Sequence, residues 1–143
     1  YVPQVGPVYA AVARVTRAGG IYVSQHKSPI SLQTDAFAAG GIYSLREPYY
    51  RQGPLPPVIG SRHREEGTIE YLHRWEELLG LLCRAGFVVE DLVEPLHAKA
   101  DAAADTFAER SRFVAPYVRI KARRVGCSEN QATTGRSGLI MSD

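Results

Sequence analysis

The stretch Pro7-Val8-Tyr9-Ala10-Ala11-Val12-Ala13-Arg14-Val15-Thr16-Arg17-Ala18-Gly19-Gly20-Ile21-Tyr22-Val23-Ser24 decides the fold. Gly6-Pro7 sets proline at a helix start, where its missing donor would have had no intrahelical partner. Val8, Val12 and Val15 recur at i, i+4 and i+7, the spacing of one helical face. Ala10, Ala11 and Ala13 add helix propensity. Gly19-Gly20 stops the helix, because its first glycine can take the left-handed cap conformation. Ile21-Tyr22-Val23-Ser24 follows at once, a continuous β-rich run of the kind buried on both sheet faces. Residues 8 to 24 are therefore predicted to be helix, glycine turn and buried strand, half of a βαβ unit.

Downstream the order continues. Gln25-His26-Lys27-Ser28-Pro29 is a polar cluster at the strand's C-terminal edge, where open α/β sheets bind ligands. Residues 30 to 67 are poorly periodic and read as a long excursion holding a short strand or helix. Tyr43, Tyr49 and Tyr50 within it either line a pocket or pin the excursion to the body. Trp75, Leu78, Leu79 and Leu82 mark a second helix, with Glu76 and Glu77 at its start, Arg84 at its end and Gly86 to stop it. Phe87 to Val93 reads as a strand ending near Pro95, and Ala98 to Ala104 as a helix. In Tyr117 to Arg124, Val118, Ile120 and Ala122 alternate with Arg119, Lys121 and Arg123, the pattern of a half-exposed strand. Periodicity is lost from Gly126 to Asp143, which is expected to be a disordered tail.

Composition bounds the function. The 143 residues suit one domain, and 45% hydrophobic residues suffice for a core. A balance of 17 basic and 15 acidic residues gives no argument for nucleic-acid or membrane binding. Cys83 and Cys127 have no metal-ligand or disulfide-framework spacing, so a reducing, cytoplasmic setting is expected. No apolar run approaches a membrane span, and Tyr1-Val2-Pro3-Gln4 shows no signal pattern. A start at Tyr1 reads as a processed N-terminus or a fragment, and the pattern of elements that follows favours a fragment.

Pro7 to Ser24 resembles a piece of the class I SAM-dependent methyltransferases, in which a helix of the form x-E-x-x-R-V-L-K-P-G-G leads into the fifth strand. Ala11 stands at the acidic position and Ala18 at the proline position. Tyr71 to Leu79, continuing through Arg84-Ala85-Gly86-Phe87-Val88-Val89-Glu90-Asp91, resembles the family helix carrying L-x-x-A-G-F that feeds the sixth strand. Tyr117 to Arg124 falls where the antiparallel seventh strand is expected. The closest resemblance is to the type 11 group. It implies an α/β fold, the C-terminal part of a Rossmann-like methyltransferase sheet: strands five to seven with flanking helices, the last strand antiparallel. It also implies a partial domain over residues 1–125 that lacks the N-terminal cofactor-binding half, S-adenosyl-L-methionine as cofactor of the complete domain, and a small-molecule substrate. No cofactor-binding residue carries over, because Gly-x-Gly occurs nowhere and no acidic ribose ligand follows the paired glycines.

The substrate-side candidates are Ser24, Gln25, His26 and Lys27. Methyl transfer asks mainly for positioning. A neutral His26 could take a proton from an attacking oxygen or nitrogen, and Lys27 could orient an acidic substrate. The alternative is that both are solvated loop residues. His73 reads as a cap or loop residue or as a pocket residue, while His63 and His97 have no evident partner. No metal site is expected. Cys83, beside Leu79 and Leu82, is expected to be buried and inert. Arg119, Lys121, Arg123 and Arg124, with Arg110 and Arg112, form a basic stripe; a solvent face is favoured over nucleic-acid contact. Two functions follow: part of a methyltransferase, inactive in isolation, or a non-enzymatic half-domain that self-associates or pairs with a partner chain through the fifth strand's open edge.

Overall fold

The computed structural model describes residues 2–35, 39–57 and 67–126. Helix α1 spans Gly6–Val15 and leads through Gly19, at φ 73°, into strand β1, Ile21–Lys27. A short helix α2, Pro29–Gln33, opens the excursion. A π-helical turn, Glu76–Gly80, runs into α3, Leu81–Arg84, and then into β2, Phe87–Val93. Helix α4, Phe107–Arg110, and strand β3, Tyr117–Arg124, complete the order.

The sheet order is β1-β3-β2, with β3 antiparallel to both neighbours. β1 and β2 are therefore parallel to each other, with the last described strand between them. This is the α/β arrangement the resemblance implies, including its antiparallel final strand. One core lies on one face of the sheet. Val5 and Tyr9 of the α1 segment, Leu78 and Leu82 of the second helix, and Phe87 close over Val118, Ile120 and Ala122 of β3. Tyr9 meets Tyr22 of β1 edge-on at 6.2 Å between ring centroids. The Tyr9 hydroxyl is fully buried and has no hydrogen-bond partner.

Several expectations are corrected. The buried face of α1 runs through Val5, Tyr9 and Val12, not Val8, Val12 and Val15, because the large Tyr9 ring is what reaches Tyr22. Val8 and Val15 are exposed at 37% and 73%. β1 is not buried on both faces: the core packs on the face of Tyr22, while Ile21 and Val23 lie on the other, exposed at 43% and 64%. Ala98 to Ala104 is not helical. An alanine run this short cannot repay helix nucleation without a packed face. The chain instead turns at Asp105, φ 57°, and Thr106 accepts from the Glu109 N–H to cap α4. Cys83 is an exposed free thiol, because Leu82 takes the core position beside it. The expected tail from residue 126 lies outside the described residues beyond Gly126.

Candidate functional site

The two parallel strands end on the same side of the sheet, at Lys27 and Val93. That is the edge at which an α/β sheet receives ligands. Alternation along β1 divides the sequence candidates between its faces. Ser24 and His26 lie opposite Ile120 and Val118, on the helix-covered face. Gln25 and Lys27 lie opposite Arg119 and Tyr117, on the other. The four residues do not form one cluster.

On the covered face, His26 Nε2 and Ser24 Oγ are 2.9 Å apart. Burial, then the nearby His73, hold the His26 pKa below its ordinary value of 6.5, so the ring stays neutral. His73 Nε2 donates to the Val2 carbonyl at 2.9 Å, which ties the segment before α1 to the segment before the second helix. On the other face, the Lys27 ammonium pairs with the Glu70 carboxylate, whose side chain is 5% exposed. Lys27 thus has a carboxylate partner within the protein. Gln25 is exposed, and its Oε1 accepts from Arg119 Nε at 2.7 Å.

Glu70 was missed by sequence reasoning, and its partner is 43 residues away. Around it the excursion is bound tightly to the strand edge. Ser28 Oγ caps α2 by accepting from the Ser31 N–H, and its own hydroxyl donates to the Ala115 carbonyl. The Ser28 N–H donates to the Pro116 carbonyl at 3.0 Å. Arg110 is buried, not part of a basic stripe. Its guanidinium donates to Asp35 O at 2.9 Å, Ser31 Oγ at 3.0 Å, Ser31 O at 2.8 Å and Thr34 O at 3.2 Å. Arg124 turns inward to the Gly86 carbonyl at 2.8 Å. What remains of the stripe is Arg119, Lys121 and Arg123, exposed together with Arg112, and Glu90 pairs with both Lys121 and Arg123.

The tyrosines act as pins. Tyr43 packs on Phe113 at 5.6 Å and its hydroxyl donates to Glu109; burial and the adjoining carboxylate push its pKa up to about 12. Tyr49 and Tyr50 stack edge-on at 5.3 Å, with the Arg74 guanidinium 5.2 Å above Tyr50. His97 lies against Phe107 and Tyr117 at 5.4 and 5.5 Å. His63 lies outside the described residues. Among the described residues no group of His, Cys, Asp and Glu is placed to hold a metal ion, and no helix is long and apolar enough to cross a membrane.

Two helices on one face, two parallel strands and an antiparallel strand between them define the class: the chain has part of the S-adenosylmethionine-dependent methyltransferase fold. It superposes on the S-adenosylmethionine-dependent methyltransferase of Mesorhizobium loti with a TM-score of 0.63 at 22% identity, over 87% of this chain and 56% of that one. A Listeria monocytogenes protein assigned to the same class gives a TM-score of 0.67 at 14% identity, over 88% of this chain and 57% of that one. The chain thus spans little more than half the length of either structure, and at these identities the likeness is one of fold. No protein-family model matches the chain, and neither does any curated protein sequence.

Proposed function

We propose that residues 1–125 are the acceptor-side half of a SAM-dependent methyltransferase that acts on a small molecule, in a cytoplasmic setting. The observation that carries this is the β1-β3-β2 sheet, matched over most of this chain but only about half of each neighbour. In this reading His26, neutral and beside Ser24, is the group able to accept a proton from an attacking oxygen or nitrogen. Lys27 and Glu70 fix the wall above β1. The neutral pairing of Lys27 favours an uncharged acceptor.

Among the described residues the side chains do not make a site for S-adenosylmethionine. Lys27, Ser28 and Arg110 are engaged with Glu70, Ala115 and the end of α2. Gly19 and Gly20 lie before β1 and not after it, so among the described residues these paired glycines do not open from a strand end toward a cofactor. The methyl donor, which supplies an electrophilic carbon on a sulfonium, belongs to the other half of such a domain. Calorimetric titration of the purified chain with S-adenosylmethionine, from micromolar to millimolar, tests this. No heat is expected, and no methyl transfer; saturable binding or turnover would overturn the assignment. A second reading, a non-enzymatic module that self-associates through β1, rests on the open edge of that strand.

A further inference from the structure

Tyr22, Ser24 and His26 share one face of β1, and the apolar core stops at the first of them. Tyr22 packs against Tyr9 and Phe87, at 6.2 and 5.9 Å between ring centroids. Ser24 and His26 follow, opposite Ile120 and Val118, which are both fully buried. Two apolar side chains there would extend the core. A polar pair does not, and it is tolerated because its members bond each other. A strand advances about 6.6 Å in two residues, short enough for the imidazole to reach back to the hydroxyl.

The bond engages one ring nitrogen only. His26 Nε2 and Ser24 Oγ are 2.9 Å apart, and among the described residues no other group bonds His26 Nδ1 or the Ser24 hydroxyl. His73, on the segment before the second helix, is the contrasting case. Its Nε2 meets the Val2 carbonyl, which can only accept, so the proton there sits on Nε2. A hydroxyl also donates, so at His26 the proton has two places open to it.

Chemistry separates the two. If Ser24 donates, Nδ1 carries the ring proton, and the lone pair of Nε2 is spent on the hydroxyl. That ring is not a base. If Ser24 accepts, Nε2–H is held and the lone pair of Nδ1 is free. A proton gained at Nδ1 then gives an imidazolium whose Nε2–H still meets the same oxygen, so nothing turns over as charge appears. Only the second arrangement serves the proton-accepting role of His26.

We infer that Ser24 is a positioning residue: its oxygen accepts from His26 Nε2–H and so makes Nδ1 the nitrogen that takes the proton of an attacking O–H or N–H, whose bonding pair stays on the oxygen or nitrogen. This rests on the reading proposed above and assigns the roles within that site.

The full chain, labelled with nitrogen-15 at histidine, tests it with neither cofactor nor acceptor present. Nitrogen shifts distinguish a protonated from a bare ring nitrogen. Neutral His26 is expected to show a protonated Nε2 and a bare Nδ1. Ser24→Ala is expected to mix the two tautomers and to lower the His26 pKa by about one pH unit, since the imidazolium loses a charge-assisted bond that the neutral ring makes more weakly. Ser24→Thr keeps the oxygen and is expected to restore both. A serine with a merely structural role would alter stability in urea and move neither. A protonated Nδ1 in the native chain would overturn the inference, and that measurement stands even where the alanine variant does not fold. So would a tautomer and pKa that Ser24→Ala leaves unmoved.

Methyl p-nitrobenzenesulfonate gives a second readout. The lone pair of a bare ring nitrogen bonds the methyl carbon, and the sulfonate leaves with the carbon–oxygen pair. On tryptic peptide 18–27, where His26 is the only imidazole, the methyl group is expected on Nδ1. Methyl on Nε2 rejects the assignment, as does an unmodified His26 where free histidine is methylated. Neither readout uses S-adenosylmethionine, so the two proposals fail separately. Saturable heat in the calorimetric titration would reject the half-domain reading and leave the tautomer as measured; a protonated Nδ1 would reject the role of Ser24 and leave that reading standing.

Discussion

His26 is half-buried beside Ser24 and faces a second imidazole, His73, so its charged form is disfavoured in the folded chain. Its folded pKa lies below the 6.5 of an unfolded chain. Between those two values the unfolded state binds the extra proton, so stability is full above 6.5 and falls as pH drops toward the folded value. His26→Gln is expected to flatten that decline, read from urea midpoints on either side of the ordinary imidazole pKa; an unchanged slope would mean His26 is not the titrating group. Tyr9 gives a second prediction. Its unpartnered buried hydroxyl carries a desolvation cost, so Tyr9→Phe should leave stability unchanged or raise it by about 1 kcal/mol in urea denaturation. A loss of similar size would show that the hydroxyl has a partner. At this scale the sequence located the strand end but not its chemistry. Ser24 to Lys27 are visible as a polar cluster, yet the two-residue period separates them. Glu70 carries no local signal at all, because only the folded path of the excursion brings it to Lys27.

Among the elements, the excursion owes its order to Arg110 more than to its own periodicity. The guanidinium gathers the carbonyls of Ser31, Thr34 and Asp35, the open C-terminal end of α2, where a cation is also favoured by the helix dipole. Arg110→Ala would leave those buried acceptors without their donor and should cost about 2–4 kcal/mol in urea denaturation. Arg110→Lys should recover only part of it, since an ammonium cannot span the same fork of acceptors. A loss below about 0.5 kcal/mol, the range of ordinary surface changes, would show that the excursion is held elsewhere. The strands were readable because alternation and β-branched runs are local: Tyr117–Arg124 has the bounds its pattern gives, and Phe87–Val93 likewise. Ala98 to Ala104 was misread because helix propensity without a face to bury does not make a helix. The face of α1 was misread for the opposite reason. Val8 and Val15 have the spacing of a core face, yet it is Tyr9 that reaches the sheet and both valines are exposed.

For the whole molecule, the fold class was legible and its completeness was not a matter of pattern but of which neighbours each face meets. The eight buried residues of the core all lie on one side of a three-stranded sheet, whereas a full α/β sheet is covered on both. Sequence periodicity reports that a face is apolar; it does not say what lies against it. The position of β3 has a further consequence, for the order in which the chain is made. β1 and β2 do not touch each other, and each has β3 as its paired neighbour. The strand that joins them is the last to leave the ribosome, so β1 waits through some ninety residues of synthesis before it has a partner in this sheet. Closure of this sheet thus waits for β3 and joins strands far apart in sequence, the kind of pairing that folds slowly and leaves strands exposed meanwhile. A stop before Tyr117 leaves β1 and β2 without the strand that joins them.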